Sequence, residues 1–440
     1  MSKTSTAFFT DHYELTMLDA ALVSGTAHRW CVFEAFGRHL PLERRFGVVA
    51  GVGRVLDAVE AFRFGEAEIE ALEERGFLRP ATLEFLAGYR FSGDIDGYRE
   101  GEAYFPGSPI LTVVGPFAEA VLLETVVLSI LNYDSAVATA AARITHAAGG
   151  RPIIEMGGRR THEEAAVAAA RAAYLVGFAT TSNLEAGRRY GIPTAGTAAH
   201  AFTQVHDDEP SAFAAQVAAL GPGTTLLVDT YDLGNGIRNA VAAAGPGLGA
   251  VRIDSGDLVE RAWQARAMLD DLGAVGTQVV LTGDLDADSV AALAGAPVDA
   301  IGVGTSVVTG DGAPTCGFVY KLVARTDGAD RHGPWLPVVK QSPGKATIGG
   351  RKRAWRLFGP DGRAEVECLS VTDGAPVGLA RALQVPMVRG GEVVHRPSLA
   401  DIRAHHRLAL TELSDVAFSR RPGPPAVEVR PPTPAEMETL

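Results

Sequence analysis

The sequence predicts an α/β protein whose central part is an irregular, TIM-like α/β barrel. From about residue 150 to residue 325, short apolar runs alternate regularly with alanine-rich helical patterns. Fully apolar strands that alternate with helices indicate a parallel sheet covered by helices on both faces. No GxGxxG motif follows the first of these runs, so the pattern favours a barrel over a dinucleotide-binding sheet.

The part of the chain before the barrel predicts helices and then strands. Residues 1 to about 90 have mainly helical patterns. Residues 89–114 alternate polar and apolar positions among glycine and proline, which is typical of β-strands. A long apolar helix over residues 117–132 and a second helix over residues 135–148 then lead into the barrel.

After about residue 335 the pattern returns to β-structure. Residues 336–340 predict one strand, and residues 354–357 are expected to pair with residues 364–369 across a Gly-Pro-Asp-Gly turn. A helix is expected over residues 398–413. Residues 420–440 are rich in proline and poor in core-forming side chains, so we expect this end to be poorly ordered.

The composition excludes several classes of protein. The 440 residues are enough for about two domains. The formal charge, 40 − 52 = −12, argues against a binder of nucleic acid or of an anionic membrane surface. The three cysteines are far apart and form no CxxC motif, so neither a disulfide framework nor a zinc finger is encoded. The amino terminus lacks a signal pattern, and the longest apolar run, residues 118–131, is too short to span a bilayer. We therefore expect a soluble, cytoplasmic protein.

Aspartates follow three of the apolar runs directly. They are Asp229, Asp254 and Asp284, and a barrel gathers the carboxyl ends of its strands at one mouth. One aspartate in such a place is typical of a helix N-cap. Three at successive strand ends, beside Arg252 and Asp257, indicate a shared site for a polyhydroxylated or metal-bound ligand.

Two short segments have the chemistry of a phosphate site. Gly302-Val303-Gly304-Thr305-Ser306 at a strand end offers backbone N–H groups and hydroxyls to a phosphate. An ordinary tight turn is the alternative. Gly157-Gly158-Arg159-Arg160 concentrates two positive charges in a short segment. Arginine binds phosphate bidentately, although surface arginines are common. A second basic cluster, equally consistent with a solvated hairpin, consists of Lys340, Lys345, Arg351, Lys352 and Arg353.

Residues 177–206 have the pattern of a strand, a helix and a second strand at 192–195. Residues just past the ends of such strands line ligand sites, which makes Ser182, Thr197 and His200 candidates for chemistry. His200 follows a run of small residues that leaves room for a ligand. Its imidazole can act as a base or a nucleophile, whereas a lone histidine is more often structural.

Six blocks of the sequence resemble the nicotinate phosphoribosyltransferase family, in the same order over nearly the whole chain. They are TDHYELTML at 10–18, FEAFGRHLP at 33–41, LLETVVLSILNYDSAVATAAARI at 122–144, the stretch 177–200, VRIDSGDL at 251–258 and GVGTSVVT at 302–309. The resemblance implies a type II phosphoribosyltransferase fold. It has a barrel domain at 134–334 and an α+β domain built from both chain ends (1–133 and 335–425). The composition of the chain end adds the expectation of a disordered tail at 426–440. The resemblance also implies a homodimer in which Tyr13 reaches the other subunit's site.

The reaction that the resemblance implies is the first step of NAD salvage from nicotinate. Nicotinate and 5-phosphoribosyl 1-diphosphate give nicotinate mononucleotide and diphosphate, coupled to hydrolysis of ATP to ADP and phosphate. By its motif, His200 resembles the histidine that ATP phosphorylates. Mg²⁺ would accompany the diphosphate sugar and ATP, but the sequence identifies no metal ligands. Catalytic roles then fall to His200, Asp229, Asp254 and Asp284, and contacts with the phosphoribosyl and diphosphate groups to Arg159, Gly283, Gly304 and Thr305.

The nicotinate site implied by the resemblance consists of Tyr13, Met156, Ser182, Thr197 and Arg252. The related nicotinamide enzymes place an aspartate where this chain has Ser182, and a serine hydroxyl can donate to a carboxylate that an aspartate would repel. Met156 stands where many relatives have phenylalanine, and its thioether can cover the pyridine ring. Thr180 replaces a common glycine and adds bulk near Ser182.

Three other functions remain open at this point. Ser182 argues against a nicotinamide phosphoribosyltransferase. A quinolinate phosphoribosyltransferase needs no phosphorylated histidine, and its substrate's second carboxylate calls for more cationic groups than the sequence places. A non-catalytic phosphoribosyl-binding homologue would not need the full set of His200, Arg252 and three strand-end aspartates.

Overall fold

The computed structural model describes residues 4–340, 347–372 and 374–437. The chain divides into two compact units, Met1–Ala136 with Thr315–Leu440, and Val137–Pro314. The expected boundaries were 133/134 and 334/335. The later one differs because the strand Phe318–Thr326 pairs antiparallel with Trp30–Gly37 of the first unit.

The elements are numbered in chain order. The strands are β1 Trp30–Gly37, β2 Gly47–Val48, β3 Asp94–Tyr98, β4 Ala103–Tyr104, β5 Leu111–Pro116, β6 Ile153–Glu155, β7 Thr180–Thr181, β8 Thr225–Leu227, β9 Ala250–Ile253, β10 Gln278–Leu281, β11 Ala300–Val303, β12 Phe318–Thr326, β13 Trp335–Pro337, β14 Arg353–Phe358, β15 Ala364–Ser370, β16 Ala380–Ala382, β17 Gln384–Arg389, β18 Glu392–Val393 and β19 Glu428–Arg430. The α-helices are α1 His12–Ser24, α2 Val52–Ala61, α3 Glu66–Arg75, α4 Pro80–Ala87, α5 Phe117–Ala120, α6 Glu124–Ala148, α7 Glu163–Leu175, α8 Leu184–Tyr190, α9 His200–Gln204, α10 Glu209–Leu220, α11 Leu233–Ala244, α12 Leu258–Asp271, α13 Ala287–Ala292, α14 Thr305–Val308, α15 Leu399–Thr411 and α16 Pro434–Met437. Short 3₁₀ helices lie at Ala7–Phe9, Pro41–Glu43, Val121–Leu123, Leu293–Gly295 and Asp415–Phe418.

The first unit is built from both chain ends around an antiparallel sheet of seven strands. Their order is β13-β12-β1-β5-β3-β17-β18, so strands from either end of the chain are neighbours. Alternate residues of β1, such as Cys31, Phe33 and Ala35, face one large apolar core, to which α1 adds Leu15 and Leu18. The predicted hairpin is β14 with β15, within a second sheet of order β16-β14-β15-β19.

One helix replaces the two expected over residues 117–148. α6 runs without a break from Glu124 to Ala148, and α5 and a 3₁₀ turn lead into it. The stretch Phe117–Ala148 is long and apolar enough to cross a membrane by length and composition, but 61% of its apolar window is buried inside the fold. Such a helix is typical of a protein core, and Leu122, Val127 and Ala141 are fully buried. The stretch is therefore weak evidence for a membrane span.

The expectation of a disordered tail is corrected for residues 426–437. β19 pairs parallel with β15, Val427 is buried, and Val429 packs against the core of the first unit. A carboxylate oxygen of Glu436 accepts a hydrogen bond from the Ser370 hydroxyl at 2.5 Å. Apolar side chains in a proline-rich segment are enough to fix it when a sheet edge is available for pairing. Residues 438–440 of the expected tail lie outside the described residues.

The second unit confirms the irregular barrel. Six parallel strands are arranged in the order β7-β6-β11-β10-β9-β8, and a single bridge from Thr181 to Thr194 extends the sheet beyond β7. Because β11 pairs with β6, the strands follow one another around a ring in chain order. No strand pairing joins Thr194 to β8 in the described chain, so the ring has one open seam. The strand expected at 192–195 is reduced to this one bridge.

Candidate functional site

A cavity of about 830 Å³ lies at the carboxyl ends of the barrel strands. It contains most of the residues that the sequence singled out: Met156, Arg159, Ser182, Thr197, Arg252, Asp254, Gly283, Asp284, Gly304 and Thr305. The other lining residues are Gly158, Arg160, Asn183, Leu184, Gly196, Ala198, Ala199, Thr282 and Gly302. Three predicted residues, Asp229, His200 and Tyr13, are not among them.

The strand-end aspartates are not the helix caps. α11 begins with Asp232 as its N-cap, α12 with Asp257 and α13 with Asp286, and each accepts hydrogen bonds from backbone N–H groups of the first turn. The cap therefore lies two or three residues after the aspartate at each strand end. This leaves Asp254 and Asp284 to line the cavity, and it explains Asp257 as a cap rather than a ligand-binding group.

Asp254 is held from three sides. The Thr282 hydroxyl donates to its Oδ1, and Nη2 of Arg252 lies 3.8 Å from the same oxygen. Its backbone N–H donates to Oδ2 of Asp229 at 2.8 Å, and the Ser255 hydroxyl donates to the same Asp229 oxygen. Asp229 thus fixes the turn that carries Asp254, behind the cavity wall.

His200 begins α9 beside the cavity. Its Nδ1 is 3.1 Å from Oγ1 of Thr230, and its Nε2 is 4.0 Å from Oδ2 of Asp254. The side chain is 37% exposed. An imidazole fixed at one nitrogen and open at the other, next to a carboxylate, is suited to nucleophilic or proton-transfer chemistry.

Arg252 is one of three arginines in the cavity wall, with Arg159 and Arg160. Its Nη1 donates to Oγ1 of Thr197 at 2.6 Å and to the carbonyl of Ala198 at 3.0 Å. Burial lowers the pKa of the Arg252 guanidinium, and Arg159 adds to this effect, while Asp254 and Asp229 oppose it. A guanidinium stays charged at neutral pH even so, and its pairing with the 197–198 backbone and hydroxyl fixes its position.

Three glycines shape the cavity because they have no side chains. A Cβ on Gly302 would lie 2.5 Å from Cγ2 of Thr282 and 2.8 Å from the sulfur of Met156, so Met156 occupies space that only glycine leaves. A Cβ on Gly304 would lie 3.2 Å from the Met156 carbonyl oxygen. Gly283 has a φ of +137°, which a residue with a side chain rarely adopts. The close contacts at Gly302 and Gly304 and the positive φ of Gly283 account for glycine at these three positions.

Ser182 is exposed at the cavity wall, and its position is set by neighbours. Its backbone N–H donates to the Glu155 carbonyl at 2.8 Å, and Asn183 caps α8 by accepting from Ala186 N–H. Thr180, whose bulk was expected near Ser182, starts β7 and does not line the cavity.

Known proteins resemble this chain over almost its whole length. It is 56% identical over 431 residues to the Mycobacterium tuberculosis protein named nicotinate phosphoribosyltransferase pncB1, and the match covers 96% of this chain and 94% of that protein. The chain belongs to the nicotinate phosphoribosyltransferase family. The family model for the nicotinate phosphoribosyltransferase (NAPRTase) N-terminal domain matches residues 8–132. The nicotinate phosphoribosyltransferase of Bacillus subtilis is 38% identical over 365 residues, 80% of this chain and 74% of that protein.

Solved structures confirm the fold of this nicotinate phosphoribosyltransferase family member. Human nicotinic acid phosphoribosyltransferase matches it with a TM-score of 0.85 at 27% identity, over 98% of both chains. Nicotinate-nucleotide pyrophosphorylase from Pyrococcus furiosus matches with a TM-score of 0.76 at 24% identity, over 92% of this chain and 95% of that one, and so shares the fold.

Two predictions about this family member concern its first unit. Tyr13 lies in the first turn of α1 and is 43% exposed. Partial burial raises its pKa to about 12, with Glu124 and Glu14 adding to the rise.

In the second basic cluster, Lys352 pairs with buried Glu34 at 2.9 Å and Arg351 pairs with Asp96. These two cations therefore balance buried carboxylates. Lys345 lies outside the described residues.

Sequence analysis missed several residues of the family member's site. Asn183 and Thr282 line the cavity, and Glu155 contacts the turns beside it through Gly157 and Thr181. Glu155 and Thr282 follow apolar runs just as the three aspartates do, so the same signal was available for both. No group of three or more His, Cys, Asp or Glu side chains suited to a metal ion occurs in the part of the chain that the structure describes.

Proposed function

We propose that the protein is a nicotinate phosphoribosyltransferase. The ring nitrogen of nicotinate bonds to the anomeric carbon of 5-phosphoribosyl 1-diphosphate, and the bond from that carbon to the diphosphate breaks. The products are nicotinate mononucleotide and diphosphate. The observation that carries the proposal is the 56% identity to a relative named nicotinate phosphoribosyltransferase. The match covers 94% of that relative's length. The cavity supports it with groups of matching chemistry.

Anionic and cationic groups of the cavity suit different parts of the reaction. The anomeric carbon becomes positively charged as the diphosphate leaves, and the carboxylates of Asp254 and Asp284 stabilise such charge from the wall. Asp229 acts through Asp254, whose turn it holds. Arg159, together with the backbone at Gly304 and Thr305, binds the 5-phosphate.

The nicotinate carboxylate is assigned to the cationic and hydroxyl groups of the wall. Arg252 supplies positive charge, fixed by Thr197, and Ser182 supplies a hydroxyl that donates to a carboxylate. Met156, in the space above Gly302, covers the pyridine face. This arrangement favours nicotinate over nicotinamide, because an amide gains less from a guanidinium than a carboxylate does.

ATP enters the proposal through His200. Its Nε2 lies 4.0 Å from Asp254, so a phosphoryl group on this histidine adds charge beside the reacting centre. Mg²⁺ in phosphate sites takes one or two carboxylates, with substrate oxygens and water as its other ligands, and Asp254 and Asp284, which line the cavity, would supply them. When bound, the ion supplies charge neutralisation on the leaving diphosphate.

The assembly and location are also proposals. The protein is a cytoplasmic homodimer in which Tyr13 reaches the site of the other subunit. The exposure of Tyr13 supports this. The apolar stretch Phe117–Ala148 has 61% of its apolar window buried inside the fold, which supports a location away from the membrane.

Product formation by the purified protein tests the function. The protein is given the diphosphate sugar and Mg²⁺ with nicotinate, nicotinamide or quinolinate, each with and without ATP. We expect nicotinate mononucleotide from nicotinate only, at a rate that ATP raises. Turnover of nicotinamide would refute the roles of Ser182 and Arg252. Saturable binding of the sugar without any product would favour the non-catalytic homologue.

A further inference from the structure

Glu155 is a buried carboxylate that the proposed chemistry does not use. It ends β6 and is 1% exposed. Successive side chains of a strand point to opposite faces. Since Met156 lines the cavity, the Glu155 side chain points away from it. Burial raises the pKa of the Glu155 carboxyl, and only two hydrogen bonds, from Thr181 and Gly157, oppose that rise.

These hydrogen bonds connect two turns that both line the cavity. Oε1 accepts from the Gly157 N–H at 2.5 Å, at the start of the turn that carries Arg159. Oε2 accepts from the Thr181 hydroxyl at 2.6 Å. That hydroxyl in turn accepts from the Asn183 N–H at 3.0 Å, within the turn that carries Ser182.

A carboxylate suits this position better than other side chains of its size. Both of its oxygens act as acceptors, whereas a glutamine presents one acceptor and one donor. The Thr181 oxygen already receives the Asn183 N–H, so its own hydrogen must go to an acceptor. The turn also packs tightly on the carboxylate, since a Cβ on Gly157 would lie 2.9 Å from Oε1 and 2.9 Å from the Gly304 carbonyl oxygen.

Burying a carboxylate without a cation is costly. An apolar side chain would fill the same space without that desolvation cost but would leave the two donors without acceptors, so packing alone does not account for Glu155. The two hydrogen bonds that its oxygens accept, from Gly157 and Thr181, account for a carboxylate at this position.

We propose that Glu155 is a positioning residue that holds the Gly157–Arg160 turn and the Thr181–Asn183 turn at a fixed separation. This separation sets the distance between Arg159, which binds the sugar phosphate, and Ser182, which faces the nicotinate carboxylate. The inference rests on the proposed function for these two roles. Neither the carboxylate nor Thr181 touches substrate.

Kinetics of Glu155→Gln test the proposal. We expect KM to rise about 10-fold for nicotinate and for the diphosphate sugar, since one charge-assisted hydrogen bond is lost. The Tm does not decide the question, because removing a buried charge stabilises the fold while the donor left without an acceptor destabilises it. Unchanged KM values would overturn the positioning role.

Substitutions of Thr181 supply the matched comparison. Thr181→Val removes the hydroxyl that links Glu155 to Asn183 and should raise KM, whereas Thr181→Ser keeps it and should behave as the unchanged protein. Thr277→Val is the control, because Thr277 is an equally buried threonine whose hydroxyl donates to the Leu248 carbonyl at the other end of its strand. It should leave both KM values unchanged. Equal effects of Thr181→Val and Thr181→Ser would overturn the proposal.

Amide hydrogen exchange separates this inference from the proposed function. In the unchanged protein the Gly157 and Asn183 amides should exchange slowly, and in Glu155→Gln at least one should exchange faster, since the amide side chain satisfies only one of the two turns. If the unchanged protein makes no product from nicotinate, the proposed function fails while this measurement still decides the role of Glu155. Equal exchange at both amides in the two proteins would refute it.

Discussion

Replacing Arg252 by lysine tests whether a fixed guanidinium, rather than positive charge alone, recognises the nicotinate carboxylate. In the structure one terminal nitrogen bonds both Thr197 and Ala198, and the other lies 3.8 Å from Asp254. Lysine keeps the charge but has a single nitrogen without a planar fork. It cannot serve the 197–198 segment and a substrate carboxylate together.

The size of the effect follows from the lost contact. A hydrogen bond to a charged group contributes about 1.5–3 kcal/mol, and about 1.4 kcal/mol is a factor of ten. We therefore expect KM for nicotinate to rise about 10- to 100-fold. KM for the diphosphate sugar should change much less, because Arg159 and the 304–305 backbone bind its phosphate.

Steady-state kinetics with each substrate varied in turn provide the assay. Arg238→Lys is the matched control, since Arg238 is exposed on α11 and, within the described residues, its guanidinium donates to Asn235. An unchanged KM for nicotinate in Arg252→Lys would refute the assignment of Arg252. Equal rises for both substrates with a lower Tm would show that the residue supports the fold instead.

Three further results are expected. Asp254→Asn should lower kcat/KM about 10²- to 10³-fold, whereas Asp257→Asn should leave it unchanged because asparagine caps a helix as well as aspartate; equal losses would refute the distinction. His200→Ala should abolish acid-labile ³²P labelling from γ-labelled ATP and the stimulation by ATP; labelling that persists would exclude this residue. Burial lowers the pKa of His406 to about 4, so the neutral form stabilises the fold above pH about 6.5 and this contribution is lost as the pH falls toward 4. Urea unfolding at several pH values should show that loss, and His406→Phe should remove part of it; an unchanged pH dependence would contradict the assignment.

Local signals predicted most of the residues that line the cavity, and long-range pairing was not visible in the sequence. An aspartate after an apolar run predicted Asp254 and Asp284 because strand ends in a barrel converge. The same signal could not distinguish Asp229 from the two aspartates that line the cavity. Asp229 instead accepts a hydrogen bond from the backbone of the turn that carries Asp254. Which of two nearby aspartates caps a helix depends on where the helix begins, and sequence patterns define such boundaries poorly.

Pairing between distant segments accounts for the other differences. The expected barrel range, 134–334, included β12, but its partner is β1, which lies far earlier in the chain. β19 was expected to be disordered because its own composition is poor in apolar residues, yet β15 offers it a free edge. In both cases the partner decides the structure, and a local pattern carries no information about the partner.

The open seam of the barrel gives Arg252 a mechanical role besides its charge. In a closed barrel, a continuous circuit of backbone hydrogen bonds fixes the circumference. Here the circuit is interrupted between Thr194 and β8, and the Arg252 side chain spans from β9 to the 197–198 segment. Together with the contact between His200 and Thr230, it joins the two sides of the gap, so the width of the barrel opening on this side depends on side chains instead of a ladder of peptide groups.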